Sequence, residues 1–224
     1  MTASSLLKST SRLSPKCRKN VRSVSPARII DAGGDAVDGA TDVRRREDLD
    51  GLVDLAGMRY GRLDVLVNNA GIGPISPLDN LRVQDWEDMI DVNIKGVLYG
   101  IAAALPVFRD QGFGQFVNTA STSAHRIVPA QSVYSATKMA VRAISEGLRP
   151  EAGPSLRVTV ISPGYIETDF ADSITDPTVR AQIIEAGNTL AISPAAIAWA
   201  IAFAIEQPAD VDIGEIVVHP TAQS

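Results

Sequence analysis

The feature that most constrains the fold is a regular alternation of short apolar runs and helix-length amphipathic segments. The apolar runs cover residues 63–67, 115–119 and 156–161, and they have the composition of strands that are buried on both faces. Strands that alternate with helices in this way predict a parallel sheet with helices on both faces. In such a sheet, ligands bind outside the carboxyl ends of the strands.

The remaining elements follow from apolar periodicity. Helices are predicted over residues 47–60, 85–108, 132–148 and 194–206, and further strands over residues 35–41 and 215–218. The second of these helices is expected to close near Pro106, and the third to end before Pro150. Proline within a helix removes a backbone donor and clashes with the preceding turn.

Length and composition narrow the class of protein. A chain of 224 residues with 45% hydrophobic residues is expected to form one domain around a packed core. The longest apolar run, residues 96–108, stops short of the roughly 18 to 20 residues that cross a bilayer, so no membrane partner is expected. Cys17 is the only cysteine and no internal disulfide can form, which fits a cytoplasmic location.

Charge is distributed unevenly along the chain. Residues 1–30 contain seven Lys or Arg and no acid, which leaves 14 cations against 26 acids in the remainder. An acidic body with few aromatic residues offers little to a phosphate backbone, so no nucleic-acid partner is expected. We expect residues 1–28 to form an irregular basic arm, broken by Pro15 and Pro26, and residues 29–224 to form a single domain. A transit peptide has a similar composition, but the arm shows no clear amphipathic helix.

Polar residues follow three of the predicted strands. Asn69 and Gly71 lie in an Asn-Asn-Ala-Gly turn after the first apolar run, Ser121 follows the second, and Pro163-Gly164 follows the third. The rule for parallel sheets places these strand ends at one crevice. Taken singly, such residues are ordinary turn and capping residues, and their joint order is what favours a site.

A tyrosine and a lysine complete this set. Tyr134 and Lys138 are four residues apart and therefore share one face of the predicted helix. A neighbouring ammonium group lowers the pKa of a phenol, so we expect Tyr134 to exchange a proton with substrate. Ser121 is positioned to hold a substrate oxygen beside that phenol. A Tyr-x-x-x-Lys pair on its own is a weak signal.

Together these motifs resemble the classical short-chain dehydrogenase/reductase family from about residue 32 to the end of the chain. The resemblance is carried by Asp42-Val43, the Asn-Asn-Ala-Gly turn, Asn93, Ser121, Tyr134 with Lys138, and the segment Pro163-Gly164-Tyr165-Ile166-Glu167-Thr168. It implies a Rossmann-like, doubly wound α/β fold. It also implies an NAD(P)-dependent oxidoreductase that interconverts an alcohol and a carbonyl by hydride transfer.

The resemblance also assigns roles to matching residues. The catalytic set would be Asn93, Ser121, Tyr134 and Lys138. Tyr134 would donate or accept the proton, and Lys138 would lower its pKa. Ser121 would orient the substrate, and Asn93 would hold a water that relays protons. The cofactor would contact Asp42, Val43, Asn69, Ala70, Gly71, Tyr134, Lys138, Pro163, Gly164, Ile166 and Thr168. No metal site is suggested, and His125 and His219 are expected to be structural. Residues 167–191 would form a mobile substrate lid that lacks regular periodicity.

Residues 212–223 are similar to a subgroup that acts on hydroxy acids, hydroxy amino acids and small carbonyls. That similarity favours NADP slightly over NAD as the cofactor and a small molecule as the substrate. Members of the family are usually dimers or tetramers built on their two long helices. Those helices would be the ones predicted over residues 85–108 and 132–148, and we therefore expect a homodimer or homotetramer.

The sequence departs from the family at its beginning. The family's first strand, its Thr-Gly-x-x-x-Gly-x-Gly turn and the helix that takes the pyrophosphate have no counterpart here, and the first glycines are Gly33 and Gly34. The N-terminal strand-helix-strand unit is therefore missing or replaced. Three explanations are open. Residues 20–25 supply a replacement strand, or the chain is a degenerate relative that no longer binds cofactor. The third, which we favour, is that the natural protein starts upstream or that its N-terminal reading frame is disrupted. The alternative function is a truncated or degenerate relative without turnover that acts only through oligomeric association.

Overall fold

The computed structural model describes residues 26–223, with side chains from residue 29 onward. The expected basic arm and its candidate strand at residues 20–25 lie almost entirely outside the described residues. Only the last three residues of the arm are described, and they belong to a short helix, α1 (Pro26–Asp31).

Four parallel strands form the sheet. They are β1 (Val65–Asn68), β2 (Gly114–Thr119), β3 (Leu156–Pro163) and β4 (Glu215–Val218), and they lie in that order across the sheet. In register, Val67 pairs with Val117, Val117 with Thr159, and Ile161 with Ile216. The prediction of a parallel α/β sheet is therefore confirmed.

Helices cover both faces of the sheet. Successive residues of β2 point to opposite faces. Phe116 packs edge-to-face on Phe108 with ring centroids 4.9 Å apart, whereas Gln115 donates from Nε2 to the Ala204 carbonyl at 3.3 Å. Phe108 belongs to α4 (Gly96–Gln111) and Ala204 to α7 (Ala195–Ile205), so these two helices lie on opposite faces.

Two helices extend beyond the prolines that were expected to end them. The helix α4 continues through Pro106 and α5 (Ser132–Ala152) continues through Pro150, so both predicted ends are wrong. Each helix ends instead at a glycine with positive φ, 76° at Gly112 and 79° at Gly153. The last turns are retained because Phe108 and Ala152 are fully buried in the core, and that packing outweighs the helix penalty of proline.

The first half of the domain is less regular than predicted. Residues 35–41 form no strand, because none of the described residues offers them a neighbouring strand to satisfy their backbone groups. They lie instead against α2 (Arg46–Tyr60), where Arg59 pairs with Asp35 at 2.6 Å. Among residues 26–223, β1 is paired on one side only, by β2.

The segment expected to lack regular structure is partly helical. Within residues 167–191 lie a short 3-10 helix, Asp169–Ser173, and α6 (Pro177–Leu190). Asp176 caps α6 by accepting hydrogen bonds from the amides of Thr178 and Val179, each at 3.0 Å. An aspartate followed by proline is a recognisable helix start, so the sequence did contain the signal for α6.

One continuous helical stretch is long and apolar enough to cross a membrane by length and composition. It covers residues 83–111 and joins α3 (Val83–Met89), a π-helical turn at Ile90–Lys95, and α4. A helix in the core of a globular domain passes the same test. Here the buried side of the helix packs against the sheet, where Ala104 and Phe108 join the core cluster with Phe116.

Candidate active site

The predicted crevice forms at the carboxyl ends of the first three strands. Thr119, the last residue of β2, donates from Oγ1 to Oδ1 of Asn69, which follows β1, at 3.1 Å. Ser121, two residues beyond β2, donates from Oγ to the carbonyl of Pro163 at the end of β3 at 3.4 Å. The structure therefore brings the three predicted strand ends together.

Tyr134 and Lys138 enter this crevice from the first turns of α5. The Tyr134 hydroxyl is hydrogen-bonded to Ser121, whose Oγ also accepts from the Ser123 amide at 3.1 Å. Lys138 Nζ donates to the Thr119 carbonyl at 2.8 Å and lies 6.0 Å from the centre of the Tyr134 ring. A serine, a phenol and an ammonium group thus meet within one small volume.

Burial controls the electrostatics of this pair. Burial raises the pKa of Tyr134 to about 12, and the hydrogen bond with Ser121 offsets only part of that rise. Burial also lowers the pKa of Lys138 to about 8. Burial therefore dominates the pKa of Tyr134 in this structure, where Lys138 Nζ is directed at the Thr119 carbonyl. The expected lowering of the tyrosine pKa by Lys138 stays a prediction.

An aromatic side chain from the segment after β3 packs on Tyr134. Phe170 packs edge-to-face on Tyr134 with ring centroids 5.4 Å apart, and it also lies so close to Gly73 that a Cβ at that position would be 2.2 Å from the Phe170 ring. The Gly73 amide donates to Ser173 Oγ at 3.0 Å, which fixes the Asp169–Ser173 helix over the crevice. Phe170 was missed from the sequence because nothing local shows where a single aromatic side chain in a loop will pack.

Asn93 is fully buried within the π-helical turn. Its side-chain amide accepts from the Ile72 amide and donates to the Ile72 carbonyl, both at 2.9 Å, and Nδ2 also lies 3.0 Å from Thr137 Oγ1. Single π-turns inside helices are frequent at functional sites. A Cβ on Gly71 would lie 3.3 Å from Lys138 Nζ and 3.4 Å from Asn93 Oδ1, so this glycine permits a close approach of the turn.

The residues predicted to border the adenine lie in the turn before α2. Asp42 is buried and pairs with Arg44 at 2.6 Å, and that hydrogen bond is the main reason why the pKa of Asp42 is lowered. Val43 is buried with Leu49 and Val92. The chemical role assigned to Asp42 and Val43 stays a prediction.

The residues predicted for the nicotinamide side continue from β3. Gly164 donates its amide to the Val218 carbonyl at 2.8 Å, and Ile166 forms an isolated bridge with Ile192. Thr168 is exposed and caps the short helix by accepting from the Phe170 amide at 3.4 Å. Ala70 lies in the turn after β1 and contacts the cluster that contains Val43. These residues surround the crevice, and their contact with a cofactor stays a prediction.

The two histidines lie in structural contacts. His125 Nε2 is 2.8 Å from Glu215 Oε1, and His219 Nδ1 is 3.0 Å from the Pro220 carbonyl. Arg142 and Ser162 also bond Glu215, which holds the pKa of that carboxyl below its ordinary value despite its partial burial. Within residues 26–223, no three His, Cys, Asp or Glu side chains form a group that could hold a metal ion.

Comparison with known proteins identifies the family. Residues 7–178 match the sequence model described as short chain dehydrogenase. The chain belongs to this family. The match begins well before residue 32, where the resemblance was expected to start. An uncharacterized oxidoreductase of Staphylococcus saprophyticus is 44% identical over 187 residues, which cover 82% of this chain and 76% of that protein. The protein is therefore an oxidoreductase of the short-chain dehydrogenase family.

Solved structures agree with the fold. The closed form of a serine dehydrogenase complexed with NADP⁺ is 31% identical, with a TM-score of 0.80, and the match covers 91% of this chain and 84% of that one. An alcohol dehydrogenase from the archaeon Thermococcus sibiricus, complexed with 5-hydroxy-NADP, is 27% identical. Its TM-score is 0.76, and the match covers 88% of this chain and 79% of that one. The Rossmann-like, doubly wound fold is thereby confirmed.

Proposed function

We propose that this oxidoreductase interconverts a small alcohol and the corresponding carbonyl with NADP or NAD, and that Tyr134 exchanges the proton. The observation that carries the proposal is the buried Tyr134 hydroxyl, which is bonded to Ser121 beside the Lys138 ammonium group. A phenol in that position can donate to or accept from a substrate oxygen that Ser121 also bonds.

The crevice fits the nicotinamide end of such a cofactor. Gly71 lets the turn after β1 approach Lys138 closely, and the buried Lys138 ammonium group is a hydrogen-bond donor at this rim. Asn69, Ala70, Pro163, Ile166 and Thr168 would complete the contacts, with Asp42 and Val43 toward the adenine. A nicotinamide cofactor supplies or accepts the hydride. Within residues 26–223, the structure contains no glycine-rich turn of the kind that binds the pyrophosphate in this family.

The electrostatics favour one direction of proton transfer near neutral pH. Because the pKa of Tyr134 is raised to about 12, the phenol is protonated and is ready to donate to a carbonyl oxygen. Ser121 bonds the same oxygen and holds it beside the phenol. A protonated Lys138 stabilises the phenolate that remains, and Asn93 would hold a water that returns a proton. Alcohol oxidation needs the phenolate and is therefore expected to speed up as pH rises.

The comparisons support a coarse substrate class and cofactor. One similar structure is a serine dehydrogenase with NADP⁺ and another is an alcohol dehydrogenase with an NADP derivative. These support a small alcohol, such as a hydroxy acid, as the substrate and a nicotinamide cofactor. The slight preference for NADP over NAD in this proposal rests on the resemblance of residues 212–223. A cytoplasmic location and a homodimer or homotetramer are part of the same proposal.

The experiment is a titration of the purified chain with NADPH and NADH, followed by cofactor fluorescence, with turnover assays on small hydroxy acids and carbonyls. We expect saturable binding of at least one cofactor. Tyr134→Phe should keep that binding and lose turnover, because it removes only the hydroxyl. Turnover by Tyr134→Phe at the wild-type rate would overturn the proposed role of the phenol.

A second function is favoured by one observation. The helix α7 has no charged residue and exposes two aromatic side chains, Trp199 at 73% and Phe203 at 54%. A relative without turnover that acts through association would need only such a face. A folded protein that binds neither cofactor yet forms a stable oligomer would favour this second function.

A further inference from the structure

The last described residues fold back onto the rim of the crevice. After β4 ends at Val218, a turn in which the Gln223 amide donates to the Pro220 carbonyl at 3.0 Å returns the chain toward the end of β3. The Gln223 side chain then joins two loops. Its Nε2 donates to Thr122 Oγ1 at 3.3 Å, and its Oε1 accepts from the Tyr165 amide at 3.0 Å.

Both loops carry residues of the proposed site. Thr122 directly follows Ser121, which bonds the Tyr134 hydroxyl. Tyr165 directly follows Pro163-Gly164, whose predicted place is the nicotinamide side. At the strand ends, the Ala120 amide donates to the Ile161 carbonyl at 2.7 Å, and Ser121 Oγ makes a longer bond, at 3.4 Å, to the Pro163 carbonyl. Beyond these bonds, Gln223 links Thr122 to Tyr165, the residues at which the two loops leave the strand ends.

The fit of the tail is close. A Cβ on Gly164 would lie 2.2 Å from Gln223 Oε1 and 2.7 Å from His219 Cβ, so only glycine at that position leaves room for the tail. An amide side chain suits the bridge because it presents a donor and an acceptor at once. One end meets a hydroxyl and the other a backbone N–H.

We propose that Gln223 is a positioning residue, which holds the Ser121 loop and the Pro163-Gly164 loop at the separation that the reaction requires. The expected effect of Gln223 on turnover rests on the proposed function, whereas its effect on the structure of the two loops does not. A second connection joins the same regions, since Glu215 Oε1 lies 2.6 Å from Ser162 Oγ and 2.8 Å from His125 Nε2. Loss of Gln223 should therefore loosen the loops without unfolding them.

The test compares Gln223→Ala and Thr122→Val, singly and together, with wild type. Gln207→Ala serves as a matched control, because Gln207 donates to the Phe203 carbonyl in the exposed end of α7, near the start of β3 and away from the site. Hydrogen exchange of the Tyr165 amide is measured by NMR. Steady-state assays give kcat and KM for the cofactor and the alcohol.

We expect the Tyr165 amide to exchange about tenfold faster in Gln223→Ala, and kcat to fall about tenfold with little change in cofactor KM, because misplacement by a fraction of an ångström slows a positioned reaction. Thr122→Val should lower kcat in the same way. The double variant should have the same kcat as Gln223→Ala, because the two substitutions break the same link between the loops. Gln207→Ala should match wild type in both readouts.

Unchanged exchange at Tyr165 in Gln223→Ala would overturn the bridge, and faster exchange with unchanged kcat would overturn the positioning role. If wild type itself shows no turnover with either cofactor, the proposed function fails. The exchange measurement then still decides whether Gln223 holds the two loops.

Discussion

The two halves of the sheet are supported in different ways. The strand β3 has neighbours on both sides, β2 and β4, and its carboxyl end is further bonded by Ser121, Glu215 and Gln223. Among the described residues, β1 has a single neighbour, and residues 35–41 lie against α2 without forming a strand. The half that carries Ser121, Tyr134 and Lys138 is therefore rigidly built, whereas the half that leads to Asp42 and Val43 depends on helix packing.

This difference separates the two parts of the proposed function. The proposed proton exchange requires only Ser121, Tyr134 and Lys138, and each of these side chains has a hydrogen-bond partner in the structure. Holding a dinucleotide also requires the β1 side, where a phosphate-binding turn would normally lie in a fold of this kind. Proton chemistry and cofactor affinity can thus fail independently, and mutations in the two halves should have different effects.

The largest effect is expected at Lys138. Lys138→Met keeps the length of the side chain and removes the ammonium group beside Tyr134. We expect turnover to fall by about 10² to 10⁴, the range of contributions from positioned acid-base groups. The measurement is kcat for alcohol oxidation, with Lys95→Met as the control, because Lys95 pairs with Asp91 on the helix surface. A loss below tenfold would show that the ammonium group is not part of the reaction.

The same variant tests the burial of Lys138 through stability. Its pKa is about 8 in the folded protein against an ordinary 10.5, so the unfolded chain binds more protons between those values. Wild-type stability should therefore rise relative to Lys138→Met as pH increases from 8 to 10.5, by an amount on the order of 3 kcal/mol. Urea unfolding at several pH values across this range measures the free energy of unfolding of both proteins. If the two free energies change with pH in parallel, the pKa of Lys138 is not lowered by burial.

The next effect concerns the centre of the sheet, which both halves share. Phe116→Ala removes a fully buried ring that packs on Phe108 and should lower the free energy of unfolding by about 3 to 5 kcal/mol. Phe203→Ala is the matched control, because that ring is mostly exposed, and we expect a change within about 0.5 kcal/mol. A larger cost at Phe203 would show that α7 is covered in solution.

A smaller effect probes how β1 is held. A Cβ on Gly100 of α4 would lie 2.2 Å from Asn68 Oδ1, and Asn68 is fixed by a 2.8 Å bond from its Nδ2 to Asn118 Oδ1. Gly100→Ala should therefore destabilise the protein by about 1 to 3 kcal/mol. Gly51→Ala, in α2 with open space around its Cβ, should stabilise it by about 0.5 to 1 kcal/mol. A neutral Gly100→Ala would show that β1 shifts freely.

A further prediction concerns Phe170, which packs on Tyr134. Phe170→Ala admits water to the phenol, so the pKa of Tyr134 should fall from about 12 toward its ordinary 10. The change is measured by ultraviolet titration, as the difference from the same variant carrying Tyr134→Phe, and we expect a fall of about one pH unit. Phe113→Ala, which removes an aromatic ring that packs on Arg62, is the control. An unchanged titration would mean that other residues desolvate Tyr134.

The last prediction compares the two halves directly by hydrogen exchange. Backbone amides of β1 should exchange about tenfold faster than those at the centre of β3, because a strand paired on one side opens more easily. Residue-resolved NMR of the full chain measures both strands under one condition. Equal protection would show that β1 has a second neighbour outside residues 26–223.

Much of the fold was predictable because it depends on local spacing. Apolar runs of strand length predicted β1 to β4 within a few residues, and a separation of four placed Tyr134 and Lys138 on one helix face. The strand ends that meet at the crevice followed from the parallel topology. The errors occurred where remote contacts decide, as at Pro106 and Pro150, where burial of the last turn outweighs the local penalty of proline.

The sequence by itself therefore determined the alternating architecture, the family and the set of residues around the crevice. Only the tertiary structure decided how those residues titrate and what holds them. Phe170 and Gln223 come from distant parts of the chain, and their contacts with Tyr134 and Thr122 leave no periodic signal. Spacing along a helix or strand fixes which neighbours share a face, whereas burial and hydrogen bonding depend on segments that meet only after folding.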